Sequence, residues 1–331
     1  MGGVQTVEVA REDDALRLDK WFKKHYPGLT FGRLQKLLRT GQVRVDGCKV
    51  KELGLRLVPG QSVRVPPLER EKDAKSSAPA KQRVSREQAA AIRSWVLHQD
   101  DHVIVLNKPA GLAVQGGSGT REHIDGMLGA LKGDRLDKPR LVHRLDKDTS
   151  GVLVLARTQR AAQALTAAFR TKDVRKAYWA VVVGVPEMPQ GRIDLALSKR
   201  HAKNGERMVV DEYEGKRAVT LFKTIDQAGR RAVWLEMEPV TGRTHQLRVH
   251  MLAIKTPILG DGKYGGEAAF LTGAEVDKKL HLHARAIRFP HPGGGMFEIT
   301  APLPDHMCAT WAYFGFDVAS APEPFIDSPA K

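Results

Sequence analysis

Beyond Leu68 the chain runs on as EREKDAKSSAPAKQRVSREQAA as far as Ala90, with Val84 as its only large apolar residue. A stretch with so little to bury cannot offset the entropy lost on ordering, so residues 67–91 read as a linker. This segment constrains the fold of the 331 residues more than any other. The portions of chain on its two sides must each close a core of their own. Hydrophobic residues are 42% of the chain and charged ones 27%, ordinary for folded globular domains. The longest apolar run, residues 177–185, is about half a membrane span. The first thirteen residues lack the cationic start and apolar core of an export signal. Two cysteines, Cys48 and Cys308, exclude a disulfide framework and a four-cysteine zinc site. A reducing cytoplasm fits this usage.

Ahead of the linker, residues 16–66 read as a small α/β module, with residues 1–15 left as an extension. One helix covers Leu16 to His25 and stops at Pro27. A second starts after Thr30, a suitable N-cap, keeps Leu34, Leu37 and Leu38 on one face, and ends before Gly41. Val43-Arg44-Val45 then turns at Asp46-Gly47 into Cys48-Lys49-Val50, the pattern of a two-residue hairpin. Arg33, Lys36 and Arg39 lie on the polar face of the second helix, and Lys20, Lys23 and Lys24 on the first. The net charge is +15, and residues 1–70 hold 14 basic against 8 acidic residues. Such an excess suits a polyanion. The run LTFGRLQKLLRTGQVRVDGCKV resembles the S4 RNA-binding domain. That resemblance implies a grip on structured RNA through Lys20, Arg33, Lys36, Arg39 and Arg44.

After the linker, residues 92–318 alternate strand-like runs (103–106, 152–155, 180–183, 218–222, 233–237) with two helical patterns, Arg160 to Arg170 and Thr244 to Ile254. This predicts an α+β domain on a mostly antiparallel mixed sheet with flanking helices, rather than regular βαβ winding. The end, 319–331, reads as a disordered tail. The densest polar cluster is HRLDKDTSG at 143–151, set directly before the strand Val152 to Leu155. Holding two carboxylates, two cations and a histidine against buried strands is costly for folding alone, which points to function. A second cluster, TGRTHQLRVH at 241–250, has Gly242 for a turn, Thr244 as a helix cap, and Arg248 near the helix start, able to reach a carboxylate.

With VIVLNKPAGLAVQGGSG at 103–119 and RKAYWAVVVG at 175–184, these clusters resemble, in order, the pseudouridine synthases of the large-subunit ribosomal RNA branch. Within that branch, residues 112–119 look most like its C-type members. The resemblance implies an enzyme that isomerises uridines of 23S rRNA, naked or in a pre-ribosomal large subunit, without metal or organic cofactor; a monomer is the default expectation. It places the essential aspartate at Asp146, a base-stacking tyrosine at Tyr178, and an arginine partner of Asp146 at Arg248. Leu247 would pack against the base, and Arg144 would fill the space left by a flipped nucleotide. Lys108 and Pro109 would support the loop, and Asp148 reads as structural.

Other readings are weaker. Gly260-Asp261-Gly262-Lys263-Tyr264-Gly265 spells G-x-G-x-x-G, but it follows Pro257 outside any βαβ unit and is set aside as a nucleotide site. His281 with His283, and His245 with His250, complete no metal-ligand set, so no metal is expected. No membrane partner and no nucleotide cofactor is expected either. The rivals are a synthase for another RNA, an inactive RNA-binding or ribosome-assembly protein, and a metal-dependent RNA hydrolase.

Overall fold

The computed structural model describes residues 4–50, 52–68, 84–116, 122–171, 173–202 and 205–326. The chain divides between residues 82 and 83 into two compact units. Most of the expected linker, residues 69–83, lies outside the described residues.

The first unit holds β1 (Gln5–Glu8), α1 (Leu18–His25), α2 (Phe31–Arg39), β2 (Arg44–Val45), β3 (Cys48–Lys49) and β4 (Ser62–Val65), in one sheet of order β1-β4-β2-β3. The local signals act as their chemistry dictates. Thr30 caps α2 by accepting from the Arg33 N–H. Gly41, at φ +69°, closes the helix with Gln42 N–H to Leu37 O at 2.9 Å and its own N–H to Leu38 O at 3.0 Å. Asp46 and Gly47 both take positive φ in the hairpin. Trp21, Phe22, Leu38, Val43 and Val63 close the core.

Two expectations change here. Residues 1–15 are no mere extension, because β1 pairs antiparallel with β4 and Val9 and Asp13 are buried. An edge strand supplied from a distance leaves no local spacing to read. Asp13 also takes Lys24 at 2.6 Å and His25 at 2.7 Å, so Lys24 serves a buried carboxylate rather than a free cationic face.

The second unit begins inside the expected linker. Helix α3 (Arg86–Ser94) starts at a capping box in which Ser85 and Gln88 satisfy each other's backbone N–H. It buries Ile92 against α4 (Ile124–Met127) and the strands. The strands are β5 (Val96–Gln99), β6 (Val103–Lys108), β7 (Arg140–Leu141), β8 (Ser150–Ala156), β9 (Arg175–Val183), β10 (Gln190–Ala202), β11 (Gly205–Val210), β12 (Lys216–Ala228), β13 (Ala232–Pro239), β14 (Leu282–Pro290) and β15 (Met296–Thr300). Helices α5 (Gln159–Thr171), α6 (Gln246–Ala253) and α7 (Asp305–Phe314) flank the sheet. The strand order is β11-β10-β12-β13-β9-β14-β8-β6-β5, with β15 on β14 and β7 on β8. Among the described pairs β14–β8 alone is parallel, so the domain is the expected mixed, mostly antiparallel α+β sheet.

All seven residues of β8 are buried. Leu153 and Leu155 face the α3–α4 side, while Val152 and Val154 face α5. A strand covered on both faces reads as a continuous apolar run, and its start is where the HRLDKDTSG loop is anchored. Gly151 is required there. It sits at φ +107°, and a Cβ on it would lie 2.2 Å from the Ala284 carbonyl of β14.

The chain end differs from expectation too. Phe325 and Ile326 are buried, the Phe325 N–H donates to Glu236 at 3.0 Å, and Arg175 donates to the Ile326 carbonyl at 2.8 Å. The guanidiniums of Arg175 and Arg288 lie 5.1 and 4.7 Å from the Phe325 ring centre. Two apolar residues in a polar segment, with the backbone hydrogen bonds on either side of their shared peptide, dock it. Residues 327–331 lie outside the described part.

Candidate active site

Three segments meet around one cleft of about 480 Å³: the loop before β8, strand β9, and the turn into α6. The loop is held from beneath. The Lys108 side chain is fully buried, and its ammonium donates to the carbonyls of Pro109, Leu112 and Lys147 at 2.7, 2.8 and 2.9 Å. Burial pushes this lysine down to about 7, while Asp148 and Asp146 favour its charged form. Its three donors thus tie the middle of the loop to the strand below. At one end His143 accepts from the Val154 N–H at 2.8 Å and stacks on Phe169. Burial, with the Lys176 charge behind it, pushes His143 down to about 3, so the ring is neutral. At the other end Ser150 bonds His283 at 2.9 Å. Between these anchors Asp146 reaches the cleft with 21% of its side chain exposed. Leu145, its neighbour, is buried as a peg in the core.

The turn into α6 is fixed by Gln246. Its amide oxygen accepts from Thr241 Oγ1 at 2.7 Å and the Arg243 N–H at 3.1 Å. Its amide nitrogen donates to Val219 O and Thr220 Oγ1, both at 2.9 Å. Thr244 is not the cap. The N-cap is His245, in the left-handed region at φ +51° with no capping side chain. That backbone costs a non-glycine residue energy, held here by the Gln246 clasp. His245 Nδ1 lies 2.7 Å from the Tyr264 hydroxyl, and Nε2 faces Asp146 at 3.8 Å. The Met208 N–H donates to the same hydroxyl at 3.2 Å. Burial pushes His245 down and Asp146 opposes that.

Arg248 does not bond Asp146. Its Nε and Nη2 donate to Asp261 at 2.8 and 2.6 Å, and the guanidinium lies 5.0 Å from the Tyr264 ring centre. Both partners are buried, at 5% and 1% side-chain exposure, and a buried guanidinium takes the carboxylate that meets its fork geometry best. Asp146 still acts on Arg248 through space, as a lesser contribution than Asp261 to keeping it charged. The segment 260–265, set aside as a nucleotide loop, therefore supplies the brace behind the cleft. Its turn needs Gly260, at φ +79° with a Cβ position 1.9 Å from the Lys279 carbonyl. Asp261, Tyr264 and His245 were missed as site residues. The buried Arg248 alone hinted at a further acid, and nothing in spacing says which.

Tyr178 is half-buried on β9 opposite Met237 and Ala284. Burial, then the Asp146 charge, pushes its phenol well up, so it keeps its proton. Leu247 is buried beside Tyr178 and Leu282, and Arg144 is exposed on the cleft wall. In the first unit Lys20, Lys36 and Arg39 are exposed and Arg33 and Arg44 half-buried. Among the described residues none of these five is ion-paired, the carboxylates of Glu12, Asp13 and Asp19 being taken by Lys24, His25 and Arg17. His281 and His283 are core residues bonded to Thr310 and Ser150.

Residues 102–253, which carry most of this cleft, match the RNA pseudouridylate synthase family model. The chain is 38% identical over 312 residues to the ribosomal large subunit pseudouridine synthase C of Salmonella typhi, covering 91% of this chain and 93% of that protein. The chain belongs to the RNA pseudouridylate synthase family. It is also 35% identical over 367 residues to the mitochondrial RNA pseudouridine synthase 4 of Arabidopsis thaliana, covering 87% and 77%. Among solved structures, human RNA pseudouridylate synthase domain containing 4 aligns with a TM-score of 0.57 at 29% identity, over 69% of this chain and 95% of that one. The synthase thus carries Asp146, Tyr178 and Arg248 within the matched residues, whereas Asp261 and Tyr264 lie beyond them. Among its described residues no helix is long and apolar enough to cross a membrane.

Proposed function

We propose that this synthase converts uridines of large-subunit ribosomal RNA to pseudouridine in the cytoplasm, with Asp146 as the reacting carboxylate. One observation carries the reading. Among the described residues lining the cleft Asp146 is the only acid, and it shares that lining with Arg144, Arg170, Lys176, Arg243 and Arg248. A polyanion is drawn to such a wall, and the carboxylate at its floor meets the strand drawn in.

The reaction breaks the bond from N1 to C1′, turns the base, and joins C5 to C1′; the proton leaves C5 and N1 gains one. Nothing is oxidised or hydrolysed overall. A single ionised carboxylate serves each of three openings: addition to the base, attack on C1′, or removal of a sugar proton. The uridine must first leave its stack, at about a few kcal/mol, and Arg144 on the exposed wall is placed to occupy the gap. Tyr178 and Leu247 then receive the base between a protonated phenol and an apolar side chain. Arg248 is held in place by Asp261, and among the described residues His245, with Nε2 at 3.8 Å, is the ion-pair partner of Asp146. The first unit, by its S4-like sequence and exposed Lys20, Lys36 and Arg39 with Arg33 and Arg44, holds RNA by its phosphates. The large-subunit substrate is supported by the names of relatives at 37–38% identity.

The test is tritium release from C5-labelled uridine in transcribed 23S rRNA, with wild type and Asp146→Asn. Wild type is expected to release tritium and Asp146→Asn to release none while still retaining the RNA. Turnover by Asp146→Asn refutes the assignment. Absence of turnover by wild type on this RNA, with turnover on another RNA, refutes the substrate.

A further inference from the structure

Lys176 is a cation without a counterpart among the described residues. It lies on β9 two residues before Tyr178, and side chains two apart on a strand share a face, so both line the cleft. The residue is half-buried, and its ammonium has no hydrogen bond or ion pair among the described residues. The acid that acts on it, Glu238, is occupied: the Arg175 fork holds both carboxylate oxygens at 2.8 and 2.7 Å. His143, on which the Lys176 charge acts, is neutral and offers no charge. A half-buried ammonium with no acceptor is costly in the free protein, and here burial pushes the lysine down.

Its position says what would relieve that cost. A Cβ on Gly242 would lie 4.0 Å from the Lys176 nitrogen, which puts the ammonium against the bare turn that carries Arg243. Arg243, next to Gly242, is exposed and lines the cleft, as does exposed Arg170 in the last turn of α5. A compact point charge that shares a cleft lining with two exposed guanidiniums offers a seat for a tetrahedral anion. We propose that Lys176, with Arg243 and Arg170 in the same cleft lining, binds a backbone phosphodiester of the RNA strand next to the flipped uridine and so holds that strand on the enzyme. This rests on the reading that the cleft takes a uridine in RNA. Glycine at 242 then has a use beyond the turn, since a side chain there would stand between the phosphate and the ammonium.

The test uses full-length protein and transcribed 23S rRNA, comparing wild type, Lys176→Met and Lys176→Arg. Lys176→Met is expected to raise KM roughly tenfold or more with kcat at saturating RNA within about twofold. It should also flatten the plot of log affinity against log salt by about 0.7 to 0.9, the value of one neutralised phosphate. Lys176→Arg, which keeps a charge there, should recover most of both. Unchanged KM and salt slope in Lys176→Met overturn the proposal, as does a fall in kcat with KM unmoved. If Lys176→Met fails to fold by circular dichroism, Arg243→Gln decides instead: a lower salt slope supports the seat and an unchanged slope overturns it. Failure of wild type to modify any RNA would sink the functional reading itself, a distinct result from an active wild type with an indifferent Lys176→Met.

Discussion

Replacing Asp261 by leucine should be among the most damaging single changes in the sheet unit, although Asp261 lies outside the family-matched residues. The carboxylate accepts both Arg248 donors, at 2.8 and 2.6 Å, and the Tyr264 N–H at 3.1 Å, with both side chains almost wholly buried. Removing it strands a guanidinium away from water, which costs about 3–5 kcal/mol, whereas the Tyr264 N–H keeps the Asp261 backbone carbonyl at 3.2 Å as its acceptor. Arg248→Met should cost about 3–5 kcal/mol by the mirror argument. The pair Asp261→Leu with Arg248→Met leaves no charge buried and should cost far less than either single change, giving a coupling of several kcal/mol. Urea unfolding followed by tryptophan fluorescence reads this out, because Trp179, Trp234 and Trp311 pack edge-on in this unit. With a slope of about 3 kcal/mol per molar, each single variant should lose about 1 M or more in midpoint. If the double variant loses the sum of the two singles, the buried ion-pair account is wrong.

Three further outcomes are expected. Gly151→Ala should destabilise the sheet unit by several kcal/mol, about the upper range for single substitutions, because its Cβ would lie 2.2 Å from the Ala284 carbonyl at φ +107°; an unchanged urea midpoint would refute the clash. His250, His281 and His283 are pushed down by burial from 6.5 to about 4. The unfolded chain therefore takes up protons that the fold refuses between these values, and stability should fall as pH drops from about 6.5 toward 4, by about 1.4 kcal/mol per pH unit for each histidine. Midpoints that do not move between pH 7 and pH 5 would contradict this. Lys36→Ala with Arg39→Ala should flatten the salt dependence of RNA binding by about 0.7 to 0.9 for each phosphate no longer neutralised and leave kcat unchanged at saturating RNA; an unaltered slope would remove this helix from the RNA-binding face.

Much of the molecule was legible because the signals are local. The α2 caps at Thr30 and Gly41, the Asp46-Gly47 hairpin, the continuous apolar run of β8 and the polar loop before it each depend on a few neighbouring residues. Motif order alone placed Asp146, Tyr178, Arg144 and Leu247, which the fold brings to one cleft. Long-range choices were not legible. That β1 completes the first sheet, that Phe325 docks on Arg175 and Arg288, and that Arg248 takes Asp261 and leaves His245 as the ion-pair partner of Asp146 depend on segments far apart in sequence. Sequence determined which residues carry charge and how each short element would form, since helix and strand periods are written in adjacent residues. Only the tertiary structure decided which charges are partnered and which, like Lys176, are left facing the cleft, because a buried ion is paired by three-dimensional distance and desolvation, and neither is encoded in spacing along the chain.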